Sequence, residues 1–500
     1  MPHSTEGLAK RTRRAVQWHY AGNATRMAIN FGVSVLLTRL LGPAPYGQVA
    51  SAMVVCSFAN LLANAGLPSA LIQKQELSAE DIRFCNTVQL CIATCLTALL
   101  TLSAPFWEQF FHAPGTAHVF RALSLVFMFQ AAGTTSTALL NRSLRTQVIQ
   151  ACAVASYAVA YLLVGVPMAF AGFGVWSLVA AQLVQVLLNS ILVYLNVRHP
   201  LLPMIDRKHM EMFGFGNRVM FANISSWSIS NLDNTVVGRV AGPVMLGLYS
   251  RAFTLASVPA ESATSGMLQI LLPALSRVQR DKEKIARYYA ALFGVVCMVL
   301  CPIFLAAAVV PDVVVLGLFG EKWTGAVQLF RPLAIAIPLN GLLAIAGPVL
   351  TARGKPGIEL RGQATTAVLA GAVYWMAVHR SVLALSWSVL AVYVVRTLVL
   401  SGLALREVGG KWTDLLSTAA PGLILSVFTM VVVGVSRMLL PSMSYVMQLL
   451  MVIAIGATSL LSFCFLTSGW LFRPIIAKAP QLENVLPWPF RRSVPCEQVS

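Results

Sequence analysis

The chain of 500 residues is 57% hydrophobic and only 11% charged, whereas soluble domains average about 45–50% apolar and about 25% charged residues. This composition excludes an ordinary soluble protein. A formal charge of +18 is normally a sign of nucleic-acid binding. The positions of the charges along the chain therefore decide between a membrane and a nucleic-acid partner.

Apolar segments recur along the whole chain, and most reach the ~20 residues that cross the apolar core of a bilayer. We predict transmembrane helices at 18–41, 47–66, 84–106, 119–140, 149–171, 176–196, 216–241, 247–275, 289–310, 328–350, 364–378, 382–404, 416–436 and 446–470. The predicted fold class is an all-α polytopic membrane protein with about 14 transmembrane helices. The longest outer loop, around 311–327, has room for little more than a turn or a short surface helix.

Lys and Arg are distributed unevenly between the two sides of this arrangement. The side of the N-terminus carries 25 of the 36, and the other side carries three, which are Lys322, Arg380 and Arg437. The positive-inside rule makes the first side the cytoplasm, so the N-terminal segment 1–17 and the tail 471–500 are both predicted to be cytoplasmic. The excess charge is then explained by topology and lipid headgroups, and no nucleic-acid partner is predicted.

The pattern R-x-x-G-P-x-x-x-G occurs twice, from Arg39 and from Arg239, 200 positions apart. Further matches follow in the same order, pairing Phe120-Arg121-Ala-Leu123 with Phe330-Arg331-Pro-Leu333 and Cys91/Cys95 with Cys297/Cys301. The unchanged order indicates duplication of a six-helix unit.

This duplication predicts two pseudo-symmetric six-helix lobes, 18–199 and 216–405. An interfacial cytoplasmic linker at 200–215 joins them, and two additional helices follow within 406–470. Because six is an even number, both copies enter the membrane in the same direction, as in transporters built from parallel repeats. Two such lobes enclose a cleft that opens to either side by rocking, so we predict a transporter that works by alternating access.

Charges inside a bilayer are costly and normally face a protein interior or a water-filled cavity. Only two acids lie in the spans, Asp233 and Glu261, and every basic residue there is arginine, whose planar donor fork suits phosphate and carboxylate. An anionic ligand is therefore predicted. The arginines in or bordering the spans are Arg26, Arg39, Arg121, Arg218, Arg239, Arg251, Arg331 and Arg396.

Arg26 is the best placed of these, because it shares a polar helical stripe with Asn30 on an otherwise apolar span. Arg218 lies in a span too polar to face lipid. Asp233 and Glu261 either titrate in a coupling cycle or neutralise an arginine such as Arg239 or Arg251. The four arginines near outer helix ends are explained by snorkelling or loop packing.

Motifs of several other functional classes are absent from the sequence. There is no G-x-x-x-x-G-K-[ST] phosphate loop, and the seven His form no metal-ligand pair at helical spacing. The first outer loop contains no acid, which disfavours a glycosyltransferase. We therefore predict no catalytic residue, no metal, no cofactor and no enzymatic activity.

The chain resembles Wzx-like lipid-linked oligosaccharide flippases of the polysaccharide transporter family, within the superfamily that includes multidrug extruders. The likeness is carried by LTRLLGPAPYG (37–47), GLPSALIQK (66–74), DNTVVGR (233–239) running into LGLYSRA (246–252), LPALSR (272–277) and LFGEKW (318–323). The last two spans and the tail match only by hydrophobic pattern.

The resemblance implies transport of an undecaprenyl-diphosphate-linked oligosaccharide repeat unit across the bacterial inner membrane, for exopolysaccharide, capsule or lipopolysaccharide biosynthesis. Arg26, Asn30, Arg218 and Arg251 are then the predicted substrate-binding residues, with arginines on the diphosphate or on acidic sugars. Asp233 and Glu261 are the predicted coupling or ion-pairing residues. The implied partners are the lipid-linked oligosaccharide, the bilayer, and the polysaccharide polymerase and export machinery.

Three other functions stay open at this point. A drug or cation antiporter of the same superfamily would need an acidic cavity, which the excess of intramembrane arginine disfavours. A membrane polymerase or ligase of polysaccharide assembly would need larger outer loops. A scaffold for the assembly machinery has no distinguishing sequence feature.

Overall fold

The computed structural model describes residues 29–64, 68, 71–72, 74, 76–204, 212–277, 281–439, 443–471, 474 and 478. The segment 1–17, Arg26 and most of the tail 471–500 lie outside these residues. The chain divides into two compact units, residues 1–223 and residues 224–500.

Six helices in the described part of the first unit each correspond to one of the first six predicted spans. They are α1 (Ile29–Leu40), α2 (Pro43–Asn64), α3 (Ala79–Phe110), α4 (Ala117–Arg142), α5 (Thr146–Phe170) and α6 (Val175–Val197). Within α5, Val159–Gly165 is π-helical. An added Cβ at Gly165 would lie only 3.0 Å from the Ala181 side chain, so the wide turn lies where α5 and α6 approach closely.

A long bent helix, α7 (Met212–Arg277), leads into the second unit. It bends at Gly242, whose φ of 77° and ψ of 178° are non-helical and suit a residue without a Cβ. The predicted spans 216–241 and 247–275 are the two limbs of this helix.

The remaining helices complete the second unit in chain order. They are α8 (Lys282–Val309), α9 (Pro311–Phe319), α10 (Thr324–Ala352), α11 (Pro356–Val378), α12 (Val382–Val408), α13 (Trp412–Leu439) and α14 (Tyr445–Leu471). Among the described residues, nine helices are both long and apolar enough to cross a membrane: α3, α4, α5, α6, α8, α10, α12, α13 and α14.

The outer segment predicted to hold at most a turn or a surface helix instead contains a buried one, α9. Val313 and Val315 are fully buried, and the helix packs against α14, where an added Cβ on Gly317 would lie 2.9 Å from the Tyr445 carbonyl oxygen. An ion pair of 2.7 Å between Asp312 and Arg437 connects its first turn to α13. Its apolar residues face several sides, so burial satisfies them better than a water interface.

The repeated R-x-x-G-P pattern separates two helical segments in both units, although Gly242 has a positive φ and Gly42 does not. Pro43 begins α2 directly after the break at Gly42, and Pro243 follows the bend at Gly242. Proline suits the first turn of a helix because it has no backbone N–H to satisfy. Each copy of the pattern therefore ends one helical segment and starts the next.

Candidate functional site

The first unit encloses a cavity of about 450 Å³ between α4, α6 and the segment after α2. Ligand sites in proteins are typically about 300–1,000 Å³. We call it the polar cavity. It is lined by Pro68, Ile72, Gln130, Gly133, Thr134, Thr137, Ala138, Asn141, Val186, Asn189 and Ser190.

One wall of the polar cavity is a stripe of neutral polar residues along α4. Gln130, Thr134, Thr137 and Asn141 follow one another at spacings of four, three and four, which places them on one face of the helix. The hydroxyls of Thr134 and Thr137 donate to carbonyls one turn earlier, at 2.8 and 2.9 Å. Their oxygens therefore keep lone pairs that can accept further hydrogen bonds.

The opposite wall is α6, which approaches α4 closely at Gly133. An added Cβ on Gly133 would lie 2.7 Å from Ser190 Oγ and 2.8 Å from its Cα, so only glycine permits this approach. Beside Ser190, the Asn189 side chain has its Oδ1 buried without a hydrogen-bond partner among the described residues. This acceptor is closed to water, whereas other atoms of the Asn189 side chain or backbone line the cavity.

The α4 stripe continues into a second, very small cavity of about 10 Å³, which shares Gln130 and Thr134 with the first. Gln130 Oε1 accepts a hydrogen bond of 3.3 Å from the Asn60 amide of α2. Gln89 of α3 also borders this cavity; it is only 3% exposed, and its Nε2 has no partner in the described part of the chain. Three helices therefore contribute carboxamides to a connected polar region.

The segment GLPSALIQK (66–74) supplies Pro68 and Ile72 to the cavity lining. The Arg142 guanidinium at the end of α4 donates to the carbonyls of Leu71 and Ile72, at 3.0 and 3.3 Å, and to that of Lys74. The Lys74 ammonium in turn lies 2.5 Å from the Asp81 carboxylate at the start of α3. These contacts fasten the segment to both neighbouring helices.

The chemistry offered by the polar cavity is uniform. Every described lining residue is uncharged, and the polar ones present carboxamides or hydroxyls. Such groups both donate and accept hydrogen bonds, so they suit a neutral, hydroxyl-rich ligand better than an ion. Among the described residues no group of three His, Cys, Asp or Glu is placed to hold a metal ion.

The residues predicted to bind substrate are placed as follows. Arg26 lies outside the described residues, and the side chain of Arg218, on the first limb of α7, is not described either. The Asn30 carbonyl accepts a hydrogen bond of 3.3 Å from the Tyr157 hydroxyl, and its buried Oδ1 has no partner among the described residues. Arg251 is half-buried on the second limb of α7. Neither Asn30 nor Arg251 lines the polar cavity.

Asp233 lies in the second unit and bridges the bend of α7. Its Oδ2 accepts a hydrogen bond of 2.6 Å from the Tyr249 hydroxyl, and its Oδ1 accepts from the backbone and amide of Asn234, at 2.8 and 3.2 Å. In the contacts described, a phenol and an amide occupy the carboxyl group, and its pairing with Arg239 or Arg251 stays a prediction. Tyr249 lies 16 residues later, beyond the bend that brings it close.

Other buried polar groups of the second unit surround this hydrogen bond. Tyr374 on α11 and Tyr393 on α12 lie close enough to interact electrostatically with both Asp233 and Arg396. Arg396 is 8% exposed, with its guanidinium carbon 5.6 Å from the Tyr393 ring centroid, a cation–π arrangement. Glu261, by contrast, is exposed on the second limb of α7.

Comparison with known proteins places these features in a family. Residues 36–328, more than half of the chain, match the family model described as "Polysaccharide biosynthesis protein". The chain belongs to this polysaccharide biosynthesis protein family. It is 26% identical to the succinoglycan biosynthesis transport protein ExoT of Rhizobium meliloti, over 75% of this chain and 73% of that protein. It is also 22% identical to the lipopolysaccharide biosynthesis protein WzxC of Escherichia coli, over 71% and 72%.

The fold of this family member is similar to that of the lipid II flippase MurJ in an inward closed conformation. The match has a TM-score of 0.70 at 12% identity and covers 91% of this chain and 99% of that one. It confirms the predicted fold class, an all-helical membrane protein with two six-helix lobes and two further helices. The chain is a multi-pass membrane transport protein of polysaccharide biosynthesis, of the Wzx and ExoT type, and not an enzyme.

One wall of the polar cavity in this transporter has a recognisable pattern in the sequence, although it carries no charge. The stripe of Gln130, Thr134, Thr137 and Asn141 is as regular as the stripe around Arg26, but none of its members is ionisable. Tyr374 and Tyr393 had no such signal, because they lie on different helices and come within electrostatic range of Asp233 only in the folded unit.

Proposed function

We propose that this transporter moves an undecaprenyl-diphosphate-linked oligosaccharide repeat unit across the bacterial inner membrane by alternating access. The observation that carries the proposal is the excess of arginine within the spans, where only two acids lie. Arginine presents a planar fork of donors that suits a diphosphate. The described cavity lining is uncharged and so offers no acidic site for a cationic drug.

Relatives with related cargo support the same proposal. ExoT is named for succinoglycan transport and WzxC for lipopolysaccharide biosynthesis, while MurJ is named a lipid II flippase. In this proposal Arg26, Asn30, Arg218 and Arg251 contact the cargo. Asp233 and Glu261 take part in coupling or charge pairing.

The decisive experiment is deletion of the gene followed by analysis of lipid-linked glycans on each face of the inner membrane. An undecaprenyl-diphosphate-linked oligosaccharide should accumulate on the cytoplasmic face, and the wild-type gene should restore its display. An Arg26→Ala variant should insert into the membrane but fail to restore display, whereas Arg380→Ala, in an exposed loop, should restore it. Unchanged glycans in the deletion strain, combined with sensitivity to cationic drugs, would instead support the antiporter.

We also propose that both termini are cytoplasmic, on the basis of the distribution of Lys and Arg. Alkaline phosphatase fused after residue 478 should be inactive, and the same enzyme fused at Arg380 should be active. The reverse pattern would invert the orientation.

A further inference from the structure

We propose that the polar cavity is a glycan subsite, which binds uncharged hydroxyl and acetamido groups of the transported oligosaccharide and not its diphosphate. This inference rests on the proposed function and adds to it a division of the cargo: sugar to the neutral lining of the first unit, diphosphate to arginines elsewhere.

The first argument is the match between the lining groups and sugar hydroxyls. Gln130, Asn141 and Asn189 present carboxamides, each with two donor hydrogens and an acceptor oxygen, and Thr137 and Ser190 present hydroxyls. A sugar hydroxyl likewise donates one hydrogen bond and accepts others. Apolar side chains, including Ile72 and Val186, complete the lining and can contact the C–H faces of a pyranose ring.

The second argument is that two buried polar atoms beside these cavities lack hydrogen-bond partners among the described residues. Asn189 Oδ1 and Gln89 Nε2 are buried without partners among the described residues, although buried polar groups are normally satisfied. Asn189 lines the polar cavity, and Gln89 lines its small extension. Both atoms are closed to water, so a sugar hydroxyl satisfies Asn189 Oδ1 once that side chain turns into the polar cavity. The extension beside Gln89, at about 10 Å³, has room for one water and not for a sugar ring.

The third argument excludes the diphosphate from this cavity. Arg142, which is fastened to a segment of the lining, donates to the backbone carbonyls of Leu71 and Ile72. No basic residue is present among the described lining residues. Since a diphosphate binds through Arg, Lys or clustered backbone N–H groups, its site lies elsewhere.

The test compares two probes on the purified full-length protein: undecaprenyl diphosphate, and the same lipid carrying one N-acetylglucosamine. The quantity of interest is the ratio of their dissociation constants, the gain from the sugar. The wild type should bind the sugar-bearing probe about tenfold more tightly, as expected for one or two net hydrogen bonds. Asn141→Leu/Asn189→Leu should reduce this ratio to about 1 while binding undecaprenyl diphosphate as before.

Two further variants separate the subsite from effects on folding. Thr137→Val is nearly isosteric and removes one lining hydroxyl, so it should reduce the gain from the sugar by a few fold. Asn196→Leu changes an exposed amide of α6 that bonds to Leu192 and Cys152, and it should leave the gain intact. Thermal unfolding shows whether each variant is folded. If the double variant is unfolded, the gain from the sugar measured for Thr137→Val tests the subsite instead.

Each remaining outcome contradicts a specific statement. A wild-type ratio near 1, or a full gain retained in the lining variants, overturns the glycan subsite while the diphosphate binding still supports the proposed function. Failure of the wild type to bind either probe contradicts the proposed function itself, and the subsite with it.

Discussion

Equivalent cysteines of the two units lie in opposite environments. Cys91 and Cys95 are exposed on α3, whereas Cys297 and Cys301, on the corresponding helix α8, are only 3% and 7% exposed. The reason is α13, which packs so closely on α8 that an added Cβ at Gly422 would lie 2.8 Å from the backbone of Cys297. Helix α13 therefore buries, in the second unit, a helix face whose counterpart in the first unit is exposed.

Other repeated positions keep the same environment in both copies. Phe120 and Phe330 are each 2% exposed, and the following Leu123 and Leu333 are fully buried. A hydrogen bond also crosses each bend, between Thr38 and Tyr46 at 3.2 Å in the first unit and between Asp233 and Tyr249 at 2.6 Å in the second. The helix starts are thus constrained alike, and the differences lie in what covers each unit.

The buried polar groups of the two units also differ. The first unit has a cavity lined by neutral amides and hydroxyls and, away from it, a buried carboxylate, Asp81, that pairs with Lys74. The second unit buries Asp233 and Arg396 together with tyrosines. Duplication therefore supplied two similar frameworks, whose buried charged groups lie at different places.

The largest expected effect comes from placing phenylalanine at two equivalent cysteines, one buried in the second unit and one exposed in the first. Cys301→Phe should lower the free energy of unfolding by up to about 3 kcal/mol, because overpacking a tight helix interface costs roughly that much. Cys95→Phe should change it little, since that side chain is exposed. Thermal unfolding of both variants in detergent measures the difference, and equal destabilisation would show that the two cysteines are equally covered.

A smaller effect is expected from a single methyl group at the same interface. Gly422→Ala should destabilise the protein by about 2 kcal/mol, because its Cβ meets the α8 backbone, which cannot rotate away. Gly434→Ala on the same helix is the control, since its Cβ would lie an ordinary 3.5 Å from Val309. If the two substitutions have the same effect on the unfolding temperature, α13 does not contact α8 as described.

The hydrogen bonds across the two bends provide a finer comparison. Tyr249→Phe should cost roughly 1 kcal/mol or more, because it removes the partner of Asp233 Oδ2 and leaves only the hydrogen bonds from Asn234 to Oδ1. Tyr46→Phe should cost less, since its bond to Thr38 is longer and the Thr38 hydroxyl also donates to the Ser34 carbonyl at 2.7 Å. Unfolding measurements should show that Asp233→Asn reduces the cost of Tyr249→Phe, and additive costs would argue against the contact.

The smallest expected effect concerns the N-caps of the paired helices α3 and α8. Ser78 caps α3, whereas Asp281 caps α8, and the hydrogen bond from the Lys284 backbone N–H lowers the pKa of the Asp281 carboxyl. A lowered pKa in the folded state means that the charged cap stabilises the protein above the unfolded pKa of about 3.9 and that this is lost as pH falls further. Asp281→Ser should keep the cap and slightly weaken the acid dependence of the unfolding temperature. Identical pH profiles for the variant and the wild type would contradict the assigned role.

The fold was predictable to a large extent because of the solvent. Lipid requires every spanning segment to satisfy its own backbone hydrogen bonds, so apolar runs of sufficient length become helices wherever they occur. The predicted spans accordingly match the helices, including the two limbs of α7, whose separation was visible in the Gly242-Pro243 pair. The short helix α9 was wrongly expected at the surface, because its buried position depends on α14, which follows more than 120 residues later.

The candidate site was predictable only in part. The sequence by itself determined the number of helices, the duplication and the excess of intramembrane arginine, since these follow from composition, order and spacing. Tertiary structure alone decided that Gly133 meets Ser190 to form a neutral cavity, that Asp233 bonds to Tyr249, and that α13 covers Cys297. Hydrophobic spacing shows which face of a helix is polar, but lipid tails are as apolar as the other faces, so hydrophobicity does not select which helices pair. Close packing between helices therefore selects the partners, and it does so through the shapes of side chains far apart in the sequence.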